Sequence, residues 1–137
     1  MTSLWLVDPN GLTPPAQGKR KIGGRPLFDL EGLQQAIKSG EVGEVRFATQ
    51  KVENNLEDLQ WELDELLDCI NCLTSADHKG AEWCEDRNGH WHACDAYAIR
   101  YDHVSRCRTR YGNINYYLKF SLEEDGVLTL VLISCHL

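Results

Sequence analysis

Long apolar runs are missing from this chain of 137 residues, and so is a recognisable targeting segment. No stretch approaches the ~20 consecutive apolar residues that a helix needs to cross a bilayer, so no membrane partner is predicted. The first nine residues lack a basic start followed by an apolar stretch, so no secretory signal is predicted either. Together these two absences predict a cytoplasmic protein.

An excess of positive charge is also lacking, because 21 acidic residues against 14 Lys and Arg give a formal net charge of −7. Broad affinity for nucleic acid comes mainly from cations that neutralise phosphates, so any contact with RNA must be local. The basic residues cluster at Lys19 to Arg25 and at Arg100 to Arg110, whereas acidic residues crowd Glu53 to Asp68. This segregation predicts one basic surface and one acidic surface.

A chain of this length has room for one domain with one core. Six cysteines in such a chain are not the framework of a tiny disulfide-stapled protein, because a core of this size holds the fold without one. We therefore expect free thiols.

The helical patterns come first along the chain. Residues 1–24 carry several Pro and Gly turns and no apolar period, which predicts a flexible N-terminal arm before a domain of residues 25–137. Asp29 caps a predicted helix that Gly40 ends, and residues 48–54 and 59–73 are predicted to form two more. The capping pattern at Thr74-Ser75-Ala76-Asp77 predicts one or two further helical turns over residues 77–83.

The last third of the chain shows the alternation of strands. Residues 90–101 and 115–122 each alternate an apolar or large set with a more polar set, and residues 127–133 are apolar on both sides, as in a covered central strand. The polar sets are His90, His92, Cys94 and Arg100 on the first strand, and Asn115, Tyr117, Lys119 and Ser121 on the second. N-terminal short helices followed by a C-terminal antiparallel sheet predict an α+β fold.

Five segments stand in a recognisable order along residues 25–137. They are Pro26 to Leu30 with the helix stop Ser39-Gly40, Ile70 to Asp77, His90 followed by Asp95-Ala96-Tyr97, Tyr116 to Phe120, and Val131 to His136. In order and spacing they resemble the MqsR-type toxins, messenger-RNA interferases with a RelE-like fold. The resemblance implies a toxin of a type II toxin–antitoxin pair, with messenger RNA as its substrate and a cognate antitoxin as its protein partner.

Carried over by position, the resemblance assigns the family's sheet tyrosine to Tyr117 and its catalytic lysine at the end of the last strand to His136. The family's glutamine falls on Cys94, which cannot donate as an amide does. The family's helix lysine is matched by Lys79, with one residue missing before it.

Metal-independent RNA cleavage by transesterification needs a base for the 2′-OH, an acid for the leaving 5′-oxygen and a cation near the phosphate. On the polar side of the sheet, His136 or His92 is predicted to act as acid or base. Arg100 or Lys79 is predicted to hold the phosphate, and Tyr117 to orient or stack on a base. This chemistry predicts no cofactor.

A zinc site is an alternative use of Cys84, His90, His92, Cys94 and Cys107, because imidazole and thiolate bind zinc. Residues at i, i+2 and i+4 of a flat strand spread over about 13 Å, which is too wide for one tetrahedral ion without a bend. The spacing also matches no common zinc-finger pattern, so no metal is predicted.

A second class of function stays open beside the enzyme. A non-catalytic binding protein on the same fold, such as a phage-encoded inhibitor, would use the acidic surface to engage a basic protein partner. The acidic charge and the cysteine in place of the glutamine favour this alternative, whereas Tyr117 and the supply of histidines favour the enzyme.

Overall fold

The computed structural model describes residues 3–15, 20–102, 104–109 and 115–136, and these form a mixed α+β fold. None of the described helices is long and apolar enough to cross a membrane. The α-helices are α1 (Leu30–Ser39), α2 (Gln50–Leu59) and α3 (Leu63–Asn71). The strands are β1 (Lys21–Gly23), β2 (Val42–Phe47), β3 (His78–Glu85), β4 (Trp91–Asp102), β5 (Cys107–Arg108), β6 (Asn115–Glu123) and β7 (Leu128–His136).

The strands form one sheet in the order β1-β3-β4-β6-β7-β2, and β5 pairs with the end of β4. The pairs β3–β4, β4–β6 and β6–β7 are antiparallel, whereas β2 runs parallel to β7. The sheet is therefore mixed rather than purely antiparallel. Its parallel strand comes from the helical half of the chain, between α1 and α2, where no strand was predicted.

The first helix has the boundaries that its capping residues predict. The Asp29 side chain accepts a hydrogen bond from the Gly32 N–H at 3.1 Å, and Gly40 ends the helix with a φ of 75°, a left-handed conformation that glycine adopts without strain. Helices α2 and α3 occur where two helices were predicted, although α2 extends to Leu59 and α3 starts at Leu63.

The prediction of helical turns over residues 77–83 is wrong. The capping signal is used, because the Thr74 N–H donates to the Asp77 side chain at 2.8 Å, but it starts only the short 3-10 turn Ser75–Asp77. Gly80 then adopts a φ of 140°, which a helix does not accommodate, and Ala81 is buried in the core. Pairing with β4 therefore prevails over the local helical preference, and the segment becomes β3.

The main core is an apolar cluster that joins alternate residues of β4, β6 and β7 with residues from all three helices. Its fully buried members include Leu33, Val52, Leu66, Ile70, Ile99, Leu118, Phe120, Leu122, Leu130 and Leu132. A second, small cluster consists of Ala48, Cys84, Cys94, Val131 and Ile133. Because its members alternate with those of the main core along β4 and β7, it lies on the other face of the sheet.

A buried carboxylate attaches the start of α1 to the sheet. Asp95 of β4 is fully buried and accepts hydrogen bonds from the N–H groups of Leu27 and Phe28 at 3.0 to 3.1 Å. Its remaining partner is His78, whose Nε2 lies 2.9 Å from Oδ1. A buried carboxylate is tolerated where hydrogen bonds replace its hydration, so Asp95 has a structural role here.

The described residues before Arg25 contact the rest of the domain. The Trp5 ring lies 4.3 Å from the Phe28 ring between centroids, and the Leu6 N–H donates to the Leu27 carbonyl at 2.7 Å. Strand β1 pairs with β3. That residues 1–24 are flexible stays a prediction.

Candidate active site

The polar sets of β4 and β6 lie on the same side of the sheet. Ala96 and Ala98 share the face of β4 that carries Cys94 and Arg100, and they pair with Lys119 and Tyr117 of β6. Leu118 and Phe120 of β6 are buried in the main core, so their neighbours Tyr117 and Lys119 point to the opposite face. This is the face that the alternation of residues 115–122 leaves polar.

A β-bulge in β7 brings His136 to this polar face. The register passes from Phe120 opposite Leu132 to Lys119 opposite Ser134, so Ile133 is the extra residue. Cys135 consequently belongs to the main core, and His136 falls on the other side. His136 pairs with Tyr117, and the two rings are stacked at 5.6 Å between centroids. Without the extra residue the alternation would direct His136 into the core.

A second bulge, in β3, places Lys79 beside them. His78 pairs with Tyr97 and Gly80 with Ala96, so Lys79 is the extra residue on its strand. His78 faces the core side with its Asp95 partner, whereas Lys79 is exposed and reaches the polar face. Bulges that redirect one side chain are common next to functional sites.

Between the two bulges lies a cavity of about 240 Å³. Ala96, whose small side chain leaves room, lines the floor of this cavity. Tyr117, Lys79 and His136 line it as well. The other lining residues are Lys51, Glu82, Tyr97, Leu118, Lys119 and Ser134. An adjoining cavity of about 200 Å³ shares Lys79, Glu82 and Ala96 and adds Lys21. The two cavities are therefore neighbours, and each has lysines in its lining.

The cavity is locally cationic, although the chain as a whole is acidic. Glu82 pairs with Lys119. Burial lowers the pKa of Lys119, but the hydrogen bond to Glu82 together with the nearby charges of Cys84, Glu82 and Cys94 outweighs the burial, so the net pKa is raised. Lys51 and Lys79 have no ion-pair partner among the residues that the structure describes. Two lysines are thus available to an anion at this site.

Two members of the other predicted basic cluster, Arg106 and Arg108, are paired with acidic residues. Arg106 pairs with Asp68 at 2.8 Å and with Asp64 at 3.4 Å, both on α3, and Arg108 pairs with Asp77. That the charges separate into one basic and one acidic surface stays a prediction. Lys19 and Arg110, which belong to the predicted clusters, lie outside the described residues.

His92 lies on the polar face but outside the cavity. Its Nε2 is 2.8 Å from an oxygen of Asp86, and its Nδ1 is 3.8 Å from Glu123. Burial raises the pKa of Asp86, but hydrogen bonds from His92 and from two backbone N–H groups outweigh this and lower it to about 2. Ala96 follows His92 by four residues on β4, which is about 13 Å along a strand. His92 is held by its hydrogen bond to Asp86 and has a structural role.

Arg100 and Cys94 are also outside the lining. Arg100 is exposed, pairs with Asn115 and follows Ala96 by four residues, again about 13 Å along the strand. Cys94 is fully buried in the small cluster, and its Sγ lies 3.4 Å from the His92 carbonyl oxygen. The structure thus brings Tyr117, His136 and Lys79 together and leaves His92, Arg100 and Cys94 apart from them.

Three hydrophilic lining residues, Lys51, Glu82 and Ser134, were not predicted from the sequence. Lys51 comes from the first turn of α2, two residues after the N-cap Thr49, and Ser134 is placed by the bulge. Glu82 lies in the segment predicted to be helical. The available signal for Glu82 was the alternation of Ala81 and Trp83 with Glu82 and Cys84 after a glycine, which is typical of a strand.

The alternative zinc ligands are dispersed. Cys84 and Cys94 are neighbours in the small cluster, where the Cys94 thiol lowers the pKa of Cys84. His90 is 77% exposed, and Cys107 lies on β5. Across residues 3–15, 20–102, 104–109 and 115–136, no three His, Cys, Asp or Glu side chains are arranged to hold a metal ion.

The arrangement combines an anion-binding site with a group that can move a proton. Lys51 and Lys79 can hold a phosphate, and imidazole is the side chain whose ordinary pKa lies closest to neutral pH. Tyr117 is 44% exposed and stacks on His136, so its ring is accessible as a stacking surface for a base.

No family model matches the chain, and no curated protein matches it. The resemblance to the MqsR-type toxins therefore stays a prediction based on the five quoted segments.

Proposed function

We propose that this protein is a metal-independent endoribonuclease that cleaves messenger RNA at the cavity between Tyr117, His136 and Lys79. The observation that carries the proposal is this local site: two lysines without ion-pair partners and a stacked tyrosine–histidine pair, on the polar face of an acidic chain. The two bulges supply further support, because both turn side chains toward the cavity.

The proposed reaction is an internal transesterification. His136 takes the proton of a 2′-OH, the 2′-oxygen forms a bond to phosphorus, and the bond from phosphorus to the 5′-oxygen breaks. The leaving 5′-oxygen takes a proton from Lys79, on the far side of the cavity from β7. Lys51, which also lines the cavity, stabilises the charge that the phosphate gains in the transition state.

The proposal includes the RelE-like fold, with the helices packed on the sheet, and the role of a toxin silenced by a cognate antitoxin. Support for both comes from the order of the quoted segments and from the mixed α+β architecture. Growth arrest on induced expression, relieved by the product of a neighbouring small reading frame, is the expected behaviour in cells.

The test is incubation of purified protein with a 5′-labelled RNA in the presence of a chelator. We expect cleavage with 2′,3′-cyclic phosphate ends, and no cleavage of an oligonucleotide that lacks the 2′-OH. His136→Ala should reduce the rate, because removal of the acid or base typically costs roughly 100-fold or more. Tyr117→Ala should also reduce it, because the substitution removes the ring on which a base would stack. Ala96→Leu, which fills the cavity floor without removing a reacting group, should also reduce it.

His90→Ala is the matched control, because His90 is 77% exposed and does not line the cavity. It should cleave RNA at the rate of the unmodified protein. If the His136→Ala, Tyr117→Ala double variant cleaves as well as the unmodified protein, the assignment of this cavity as the active site is wrong. If the unmodified protein leaves RNA intact but binds a basic protein, the non-catalytic alternative replaces the enzyme.

A further inference from the structure

A groove of about 540 Å³ lies at the opposite end of the sheet from β1, between β2, α2 and the start of α3. Its apolar lining consists of Val45, Phe47, Leu56, Trp61 and Leu63, and Leu63 is 44% exposed. The other lining residues are all acidic: Glu53, Glu57 and Glu62. Neither Tyr117 nor His136 lines it, so it is separate from the candidate active site.

One wall of this groove is the edge of the sheet. Among the strands that the structure describes, β2 lies at the edge of the sheet and pairs on one side only, with β7. The Ala48 N–H donates to Leu132 of β7 at 3.0 Å. Because the peptide groups of successive residues point alternately to the two sides of a strand, those of Val45 and Phe47 point away from β7. Such an edge can accept an added strand.

A basic side chain of the protein itself occupies one end of the groove. Arg87, from the β3–β4 turn, donates from Nη2 to the Phe47 carbonyl at 3.2 Å and pairs with Glu53 at 3.2 Å. Further lining residues include Val45, whose carbonyl also points away from β7, and the carboxylate of Glu57. Glu57 is exposed and has no ion-pair partner among the described residues. The unoccupied length of the groove is therefore complementary to a cation.

We propose that this groove binds an extended basic segment of a partner protein, which adds as a strand to the free edge of β2. Main-chain hydrogen bonds to β2 would supply affinity, alternate apolar side chains would enter the groove beside Trp61, and Lys or Arg side chains would meet Glu57 and Glu62. The groove is separate from the cavity, so the proposed partner binding is compatible both with a toxin and with a non-catalytic binding protein.

The test uses two fluorescein-labelled eight-residue peptides, one alternating Lys with Val and the other alternating Glu with Val. Anisotropy titrations of the full chain should show binding of the basic peptide only. N-methylation of every second residue, which removes the N–H groups of one edge, should abolish binding. Glu57→Lys should weaken binding by roughly fivefold or more, since it replaces an attraction with a repulsion.

Asp58→Lys is the matched control, because Asp58 is exposed on the same helix, carries the same charge and does not line the groove. It should retain most of the affinity. Equal weakening by the two Lys variants would mean general attraction to an acidic chain and would overturn the proposal. Unchanged binding after N-methylation would overturn strand addition. Strand addition would also be overturned if light scattering shows that the protein self-associates and a second copy already covers the β2 edge.

Discussion

The two faces of the sheet are made by the same strands, yet one is a packed core and the other holds a cavity. On β6, Leu118 and Phe120 are almost fully buried, whereas Tyr117 between Tyr116 and Leu118 is 44% exposed. The core face keeps strict alternation until the bulges, and the polar face gains Lys79 and His136 from them. The comparison teaches that alternation alone does not assemble the candidate site: it places Tyr117, and the two bulges add Lys79 and His136.

The polar face is itself divided into two halves. Toward His92 it is closed by the small cluster of Ala48, Cys84, Cys94, Val131 and Ile133, and toward Tyr117 it is open above Ala96. In the closed half, the side chains of His92 and Asp86 are hydrogen-bonded to each other. The open half leaves Lys51 and Lys79 to solvent, so it is the half that can take a ligand.

The largest expected effect separates the core face from the polar face. Phe120→Ala should lower the free energy of unfolding by about 3–5 kcal/mol, because a 1% exposed ring is replaced by a cavity. Tyr117→Ala, at the neighbouring half-exposed position, should cost no more than about 1 kcal/mol. Urea unfolding followed by circular dichroism measures both. Similar losses for the two variants would contradict the division of the faces.

A smaller effect on stability is expected in the closed half of the polar face, from the hydrogen-bonded carboxylate of Asp86. Asp86 has its pKa lowered to about 2 from an ordinary 3.8, so the hydrogen bonds to its carboxylate stabilise the fold above pH 4, and this contribution is lost as the pH falls toward 2. Asp86→Asn should cost about 1–2 kcal/mol at pH 7, and the variant should show a shallower loss of stability between pH 4 and pH 2.

Urea unfolding at a series of pH values measures this effect, with Asp125→Asn at the exposed hairpin tip as the control. RNA cleavage by Asp86→Asn at pH 7 should remain close to that of the unmodified protein, because His92 lies outside the cavity. A loss of cleavage with an unchanged pH dependence of stability would move His92 into the active site.

Much of this architecture could be predicted because it follows from local rules. The cap at Asp29, the stop at Gly40 and the alternation that separates Phe120 from Tyr117 are each encoded within a few residues. The α+β class follows from the order of the patterns. The parallel pairing of β2 with β7 could not be predicted, because it joins segments more than 80 residues apart and β2 has exposed Glu44 and Arg46 in its middle.

The candidate site was only partly predictable for the same physical reason. Tyr117 and Lys119 follow from alternation alone, whereas His136 reaches the polar face only because one extra residue, Ile133, shifts the register of β7. Bulges depend on how two strands are paired, which no short segment encodes. Lys51 comes from a helix, so its place in the cavity depends on tertiary packing of α2 near Ser134.

The smallest expected effect tests the electrostatics of the open half. Glu82 is the only carboxylate among the described residues that line the cavity, and it holds Lys119 in an ion pair whose two side chains are 27% and 36% exposed. Glu82→Gln should change the free energy of unfolding by less than about 1 kcal/mol, because partly exposed ion pairs contribute little.

Its effect on RNA should be favourable. With Lys119 released, affinity for a 2′-O-methylated RNA, which cannot be cleaved, should rise about twofold to fivefold. Its dependence on the logarithm of salt concentration should steepen by about 0.7, the value for one added phosphate contact on a single strand. Fluorescence anisotropy at several salt concentrations measures both, and Glu85→Gln, on the same strand but outside the cavity, is the control. If Glu82→Gln binds RNA no better than Glu85→Gln does, Lys119 does not face the phosphates, and the anion site reduces to Lys51 and Lys79.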